Sequence, residues 1–212
     1  MKLPIAKEGI PYILIFTILT LITYLLHPYI AIIPFILTLF TTFFFRDPYR
    51  EIPFDENLLV SPADGKIMSI VEIDENDYIK DKAIKVSIFL SIFNVHINRI
   101  PIGGKIDFHK YRPGKMLPAF KSHASELNER NSIGINTGTI KILIHQITGF
   151  IARRIVWWVK PGDIVKQGDR FGLIKFGSCT EIIVPKDKVE ILVQQGDKVI
   201  GGKTVIGRVI SK

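Results

Sequence analysis

Val159-Lys160-Pro161-Gly162-Asp163-Ile164-Val165-Lys166-Gln167-Gly168 lies over Val193-Gln194-Gln195-Gly196-Asp197-Lys198-Val199-Ile200-Gly201-Gly202 at a constant offset of 34 residues. In each copy the Gly-Asp pair predicts a tight turn, and the flanking valines predict strand positions that point inward. The texture around the two copies is the same. From Pro53 onward, short β-branched runs alternate with Gly, Pro, Asp and Asn. Strands are predicted at Gly65–Val71, Ala83–Phe89, Gly104–Phe108, Ser132–Asn136 and Thr139–Thr148, with more toward the C-terminus. About 160 residues of this kind bury a substantial core. The polar run Lys121–Arg130 (KSHASELNER) reads as a short helix or a loop.

The doubled pattern resembles the hammerhead of lipoyl- and biotinyl-carrier domains, in which two similar β units interleave. A mainly β, lipoyl/biotinyl-like domain is therefore expected for residues 51–212. This likeness concerns fold and not chemistry.

Residues 1–50 are different in kind. From Gly9 to Phe45 there are 37 consecutive positions without Lys, Arg, Asp or Glu. One straight helix of that length would run about 55 Å, against a hydrocarbon core of roughly 30 Å. His27-Pro28 breaks it, because Pro28 lacks the backbone donor and disfavours helix in the residue before it. Two apolar arms result, Pro11–Leu26 and Ile30–Phe45, each near the lower limit for crossing a bilayer. The expectation is a membrane helical hairpin, spanning or re-entrant, with a buried helical pair in a soluble protein as the alternative. Lys2 and Lys7 precede it and Arg46 and Arg50 follow it, so both flanks are expected at the cytoplasmic face of the cell membrane. Tyr12 and Phe43–Phe45 stand where interfacial aromatics belong. A cleaved signal peptide fits less well, since no small-residue cleavage site precedes Arg46.

Composition narrows the function classes. The net charge of +8 calls for an anionic partner, either a membrane surface or nucleic acid. Basic residues lack the aromatic alternation of a strand-binding platform, which argues against nucleic acid. A single cysteine excludes an internal disulfide framework, and the five histidines form no metal-ligand spacing, so no metal is expected.

One dipeptide has chemical potential. Glycine offers an unhindered carbonyl, and the next hydroxyl can attack it in a strained turn; Gly177-Ser178 is such a pair. An N→O acyl shift followed by β-elimination would split the chain and leave a group that hydrolyses to pyruvoyl. An ordinary turn serine is the plain alternative.

Five further stretches occur in order: SPADGKI (Ser61–Ile67), NVHINRIP (Asn94–Pro101), NERN (Asn128–Asn131), ARRIV (Ala152–Val156) and GDRFGLIKFGS (Gly168–Ser178). With these the chain resembles the phosphatidylserine decarboxylase proenzymes, in the short branch that includes archaetidylserine decarboxylases. The resemblance runs from Arg46 to Lys212. It implies self-cleavage between Gly177 and Ser178 into a large β chain (1–177) and an α chain of 35 residues (212 − 177). It implies that Ser178 becomes a covalent pyruvoyl cofactor that forms a Schiff base with the amine of an anionic serine phospholipid. The carbonyl then accepts electrons as carbon dioxide leaves. It also implies that Asp64 assists maturation and that His96 lines the pocket as an acid–base group. Structural readings stand beside both: an Asp-Gly turn for Asp64, a hydrogen-bonded core histidine for His96. The long branch carries a second histidine where this chain has Arg99, so a Ser-His-Asp triad does not carry over intact. At position 179 the short branch usually has arginine; here it is Cys179. The resemblance implies a heterodimer of the large β and small α chains, with a dimer of such heterodimers as the further arrangement that family members commonly form.

Two rival readings separate cleanly from this one. A noncatalytic lipoyl-like carrier or adaptor would stay intact and gain mass on Lys188. A serine–lysine hydrolase would also stay intact at this bond and keep Ser178 as a stable nucleophile.

Overall fold

The doubled stretch takes the same shape twice. The computed structural model describes residues 4–53, 55–115, 117, 127–149, 154–175 and 178–210. Gly162 and Gly196 both adopt φ of +100°, a left-handed turn that other residues enter only at a cost. Asp163 accepts the Lys160 N–H at 2.9 Å, and Asp197 accepts the Gln194 N–H at 2.9 Å. The two glycine N–H groups donate to Ile106 and Ile67 respectively. Each turn then feeds a two-residue strand, β9 (Ile164–Val165) and β13 (Lys198–Val199). These pair with the first residues of β5 (Gly104–Arg112) and β2 (Gly65–Glu75). The copies thus close the two opposite edges of one eight-stranded sheet.

That sheet runs β13-β2-β3-β11-β7-β6-β5-β9 and is antiparallel throughout. Its remaining members are β3 (Asp81–Leu90), β6 (Arg130–Asn136), β7 (Lys141–Thr148) and β11 (Ser178–Pro185). Two three-stranded sheets complete the domain. One has β4 (Ile97–Arg99) and β8 (Arg154–Trp157) on either side of β10 (Arg170–Lys175). The other has β1 (Leu58–Val60) and β12 (Val189–Ile191) on either side of β14 (Val205–Val209). Side chains alternate along each strand. One face of the large sheet therefore collects Val86, Ile88, Leu90, Ile133, Ile135, Ile142, Ile144, Ile182 and Val184 into the main core with Ile100 and Phe171. The mainly β expectation is met. Observed strands extend the predicted ones by a few residues, except that Thr139 and Ile140 belong to the β6–β7 turn. Of the polar run 121–130, residues 121–126 lie outside the described residues.

The chain divides into two units, Met1–Tyr49 and Arg50–Lys212. In the first, α1 (Ile10–Leu26) and α2 (Ile32–Phe44) are joined by a turn through His27 and Pro28, the predicted break. With the preceding 3-10 turn, Lys7–Leu26 is a 20-residue helical run long and apolar enough to cross a membrane. The second helix has 13 residues, about 20 Å of rise. Both helices expose isoleucine, leucine and phenylalanine along most of their surface. Five of their hydroxyls are satisfied internally: those of Thr20, Thr23, Thr38, Thr41 and Thr42 each donate to the carbonyl four residues earlier. That is what an apolar surrounding requires. The two ends of the hairpin are tied, Ala6 N–H to Phe45 O at 2.8 Å and Asp47 N–H to Pro4 O at 2.7 Å, so they emerge side by side.

Candidate active site

Strand β11 is central, and its alternation decides what faces the interior. Ile182 and Val184 belong to the main core, so Ser178 and Thr180 lie on that same inward face. Cys179, Glu181 and Ile183 take the other. In register, Ser178 stands between Leu90 and Thr148, and Thr180 between Ile88 and Gln146. The inward face is therefore aliphatic along most of its length and hydroxyl- and amide-bearing at one end. Ser178, Thr180, Gln146, Thr148, Asn131 and Asn98 are all 0% exposed. Buried polar groups are normally hydrogen-bonded. The Ser178 Oγ is an exception, with no partner among the described residues.

The described parts of the five stretches, which run over 118 residues of sequence from Ser61 to Ser178, are linked through the strands that surround β11. The carbonyl of Pro62, in the β1–β2 turn, accepts the Arg99 N–H at 2.9 Å, which joins that turn to β4. Strand β4 pairs with β10, which leads to the 177–178 bond, and β8 flanks β10 on its other side with Arg154 opposite Lys175. Asn128 donates to the Thr148 carbonyl at 2.7 Å, and Thr148 is the neighbour of Ser178. Phe176 and Gly177 lie outside the described residues, as does Arg153.

His96 sits just ahead of β4, its carbonyl accepting the Ile174 N–H at 3.4 Å, and its side chain is buried. Its Nδ1 is 2.9 Å from the Asn94 carbonyl, which can only accept. Nδ1 therefore carries a proton, and this hydrogen bond fixes the orientation of the ring. Thus the start of β11 and the link between β3 and β4, which carries His96, are brought to one end of the domain.

Asp64 is held otherwise. Its Oδ2 accepts Arg50 Nη2 at 2.9 Å and its Oδ1 accepts the Gly201 N–H at 2.8 Å. Asp64 lies in the bend that leads into β2, and its carboxylate joins the β1–β2 connection to the second repeat copy. Arg99, buried, donates to the Gly168 carbonyl at 3.0 Å and braces the end of the first copy. A guanidinium does not lose its proton, so Arg99 cannot replace the histidine as a base. His145 is on the outward face of β7, where burial first and the charge of Arg130 second push its pKa well down and keep it neutral.

An uninterrupted chain of side-chain hydrogen bonds runs behind the serine. His109 Nε2 is 2.7 Å from Asn131 Oδ1; Asn131 Nδ2 donates to Gln146 Oε1 at 2.9 Å. Gln146 Nε2 donates to Asn98 Oδ1 at 2.8 Å, and Asn98 Nδ2 donates to Thr180 Oγ1 at 3.1 Å. A Cβ on Gly172 would lie 2.8 Å from Gln146 Nε2 and 2.4 Å from the Val156 carbonyl, so only glycine leaves this room. Removing one member strands a buried amide at a cost of about 1–3 kcal/mol. Sequence reading missed these residues, because scattered Asn, Gln and Thr carry no spacing signal. The one available hint was amides within otherwise isoleucine-rich strands.

Cys179 is buried on the outward face with Ile147, Met68 and Phe89. Burial, with the Glu181 carboxylate second, pushes its thiol pKa well up. It is a packing residue and not a nucleophile. Iodoacetamide at pH 8 should leave Cys179 unmodified in the folded protein and alkylate it fully in denaturant, as read by peptide mass.

The family model described as phosphatidylserine decarboxylase matches residues 37–207. Three relatives span nearly the whole chain, each named a phosphatidylserine decarboxylase proenzyme. That of Carboxydothermus hydrogenoformans is 54% identical over 211 residues, covering 99% of both chains. That of Symbiobacterium thermophilum is 45% identical, covering 96% of this chain and 95% of its own. That of Syntrophus aciditrophicus is 48% identical, covering 96% of each. The family model and these relatives define the class of protein, a decarboxylase, which is a lyase made as a proenzyme. The chain belongs to the phosphatidylserine decarboxylase family.

Proposed function

We propose that the chain cleaves itself between Gly177 and Ser178, and that the mature protein removes carbon dioxide from the serine headgroup of a phospholipid, phosphatidylserine or its ether-linked archaeal counterpart. The observation that carries this is the Ser178 Oγ, fully buried and without a hydrogen-bond partner among the described residues, at the head of the central strand. In the first step Ser178 Oγ loses its proton and bonds the Gly177 carbonyl carbon; the C–N bond breaks and the amine takes a proton. Loss of the Ser178 α-proton then expels the Gly177 carboxylate. Water replaces the nitrogen, which leaves as ammonia, and a pyruvoyl group caps residue 178. Its burial supports such a cap. Ordinary proteolysis would put an ammonium at a fully buried position, whereas a keto group is neutral. When present, the group supplies an electrophilic carbonyl and an electron sink for the bond to the departing carboxylate.

The chain's own residues do the rest. Strand β11 fixes position 178 between one neighbour on each side, Leu90 and Thr148, so the reacting atom does not wander. His96 carries a proton to or from the reacting carbon through Nε2. Asp64, tied to Arg50 and the Gly201 amide, serves maturation by holding the β1–β2 turn against β4. Arg154 and Lys175, neighbours across β8 and β10, offer two cations to the lipid phosphate. The α chain contributes β11 through β14, which pair with β3, β7, β2 and β1. Strand hydrogen bonds therefore hold the two products together as one folded unit.

Intact-mass measurement of the purified protein tests this. Two chains are expected, residues 1–177 and a 35-residue chain (212 − 177) with a ketone in place of its amine and side-chain hydroxyl. A single full-length chain overturns the proposal.

Residues 1–49 are proposed as the anchor of the cell membrane, holding the β domain at the cytoplasmic face. The apolar helix Lys7–Leu26 supports this. A chain beginning at Arg50 is expected to move from the membrane pellet to the soluble fraction with its circular-dichroism spectrum still β. It should lose activity on vesicles far more than on detergent-dispersed substrate.

A further inference from the structure

The outward face of the large sheet, opposite to the one that carries Ser178, is covered and not solvated. The β2–β3 turn folds over it and reaches β5: Lys110 donates to Asp77 at 2.9 Å, and the Tyr78 hydroxyl donates to Asp107. Two apolar clusters lie on that face, Tyr78 with Ala83, Leu143 and Ile183, and Ile147 with Cys179, Met68 and Phe89. Between them runs a polar row in register, Ser87, Glu181, His145 and Ser132, on β3, β11, β7 and β6. All four are buried. At the Ser87 end the row is satisfied, since the Glu181 carboxylate accepts the Ser87 hydroxyl at 3.2 Å and pairs with Lys85 at 3.6 Å.

The other end is not. His145 is 5% exposed, and its Nδ1 has no hydrogen-bond partner among the described residues. The same is true of the buried Nε of Arg130, which stands diagonal to His145 on β6. Diagonal neighbours on one sheet face are about 7–8 Å apart, close enough for both to reach one small ligand. Arg112 faces Arg130 in register, so two arginines lie side by side, and both are half-buried. Burial first and the Arg112 charge second push the Arg130 pKa down. A water would satisfy the two nitrogens and leave the charge; an anion answers both. We propose that Arg130 and His145 hold an oxyanion of the phosphate class, at a site separated from Ser178 by the thickness of the sheet. The guanidinium presents Nε–H and Nη–H as a fork that matches two oxygens of one phosphate, and His145 adds a further donor through Nδ1. The site opens on the arginine side, with His145 as its floor. Its ligand is the headgroup phosphate of a lipid or the free ion, which offer the same oxygens.

The test is phosphate binding to the full-length protein in dodecyl maltoside, a detergent without phosphate, read by titration calorimetry and melting temperature. Inorganic phosphate should bind once per chain. At a hundred times its dissociation constant it should raise the melting temperature by about 5–10 °C. Potassium chloride at equal ionic strength should not. Arg130→Gln should weaken phosphate binding by about tenfold or more, and His145→Leu by about tenfold. Both variants should fold, since each removes a buried polar atom that has no partner. Arg130→Lys keeps the charge without the fork; it should show the same direction of loss and serves if Arg130→Gln does not fold. Lys175→Gln and Ser178→Ala should both keep wild-type phosphate binding, which separates this site from the lipid cations and from self-cleavage. Dihexanoyl phosphatidylglycerol, titrated below its micelle concentration, identifies the source: tighter binding than inorganic phosphate marks a headgroup, weaker binding the free ion. No phosphate binding, an equal response to chloride, or undiminished binding by folded Arg130→Gln overturns the proposal and leaves the self-cleavage reading untouched.

Discussion

Ser178→Ala should remain a single chain of 212 residues and release no carbon dioxide from phosphatidylserine above the uncatalysed background. The expected loss is the largest of any single change, because one atom serves twice. In the proposed mechanism the Oγ of Ser178 is the nucleophile that breaks the backbone, and its departure creates the carbonyl on which decarboxylation depends. Removing the nucleophile of a covalent enzyme typically costs on the order of 10⁶ in turnover. Here no residual route is expected, since the electron sink is never made. The substitution is sterically mild: it deletes one buried hydroxyl that has no partner among the described residues, so the fold should survive with little change in melting temperature. Intact mass and carbon dioxide release on the same preparation check it. Processed, active alanine variant would refute the assignment of Ser178.

The second large effect is expected at His96. Once cleavage is complete, His96→Gln should lower turnover by about 10²–10⁴, the contribution of a positioned acid–base group, with KM little altered. The reason is local. The Asn94 carbonyl at 2.9 Å holds the Nδ1 proton and fixes the ring, which leaves Nε2 as the atom proposed to cycle a proton. Glutamine can donate toward Asn94 but cannot cycle a proton at neutral pH. A histidine that merely filled the core would behave otherwise: His96→Gln would then lower the melting temperature and leave turnover per folded molecule unchanged. Measuring kcat on purified, fully processed enzyme separates the two.

Much of this architecture was legible in one dimension because its signals are local. The paired Gly-Asp turns need left-handed backbone at Gly162 and Gly196, a demand few other residues satisfy, so the repeat was visible as letters. The hairpin was visible because 37 positions without a charged side chain have few other homes, and Pro28 marks its bend. The Gly177-Ser178 bond stood out only with the ordered motifs around it. Gly177 itself lies outside the described residues, so its part in cleavage remains a proposal that intact mass decides.

Tertiary structure settled what no spacing encodes. Nothing along the chain relates Asn98 to Gln146, 48 residues away, or to Thr180, 82 residues away, yet they touch. The same holds for Asp64, whose partners are Arg50 and the amide of Gly201. Sequence alone determined the local events: where the backbone must turn, which residues alternate and which segment avoids water. Only the fold decided which strands became neighbours of β11, and with them the surroundings of Ser178. The physical reason is that turn and burial preferences belong to single residues and their near neighbours. Strand register, and the hydrogen bonds it aligns across a sheet, exists only once distant segments have paired.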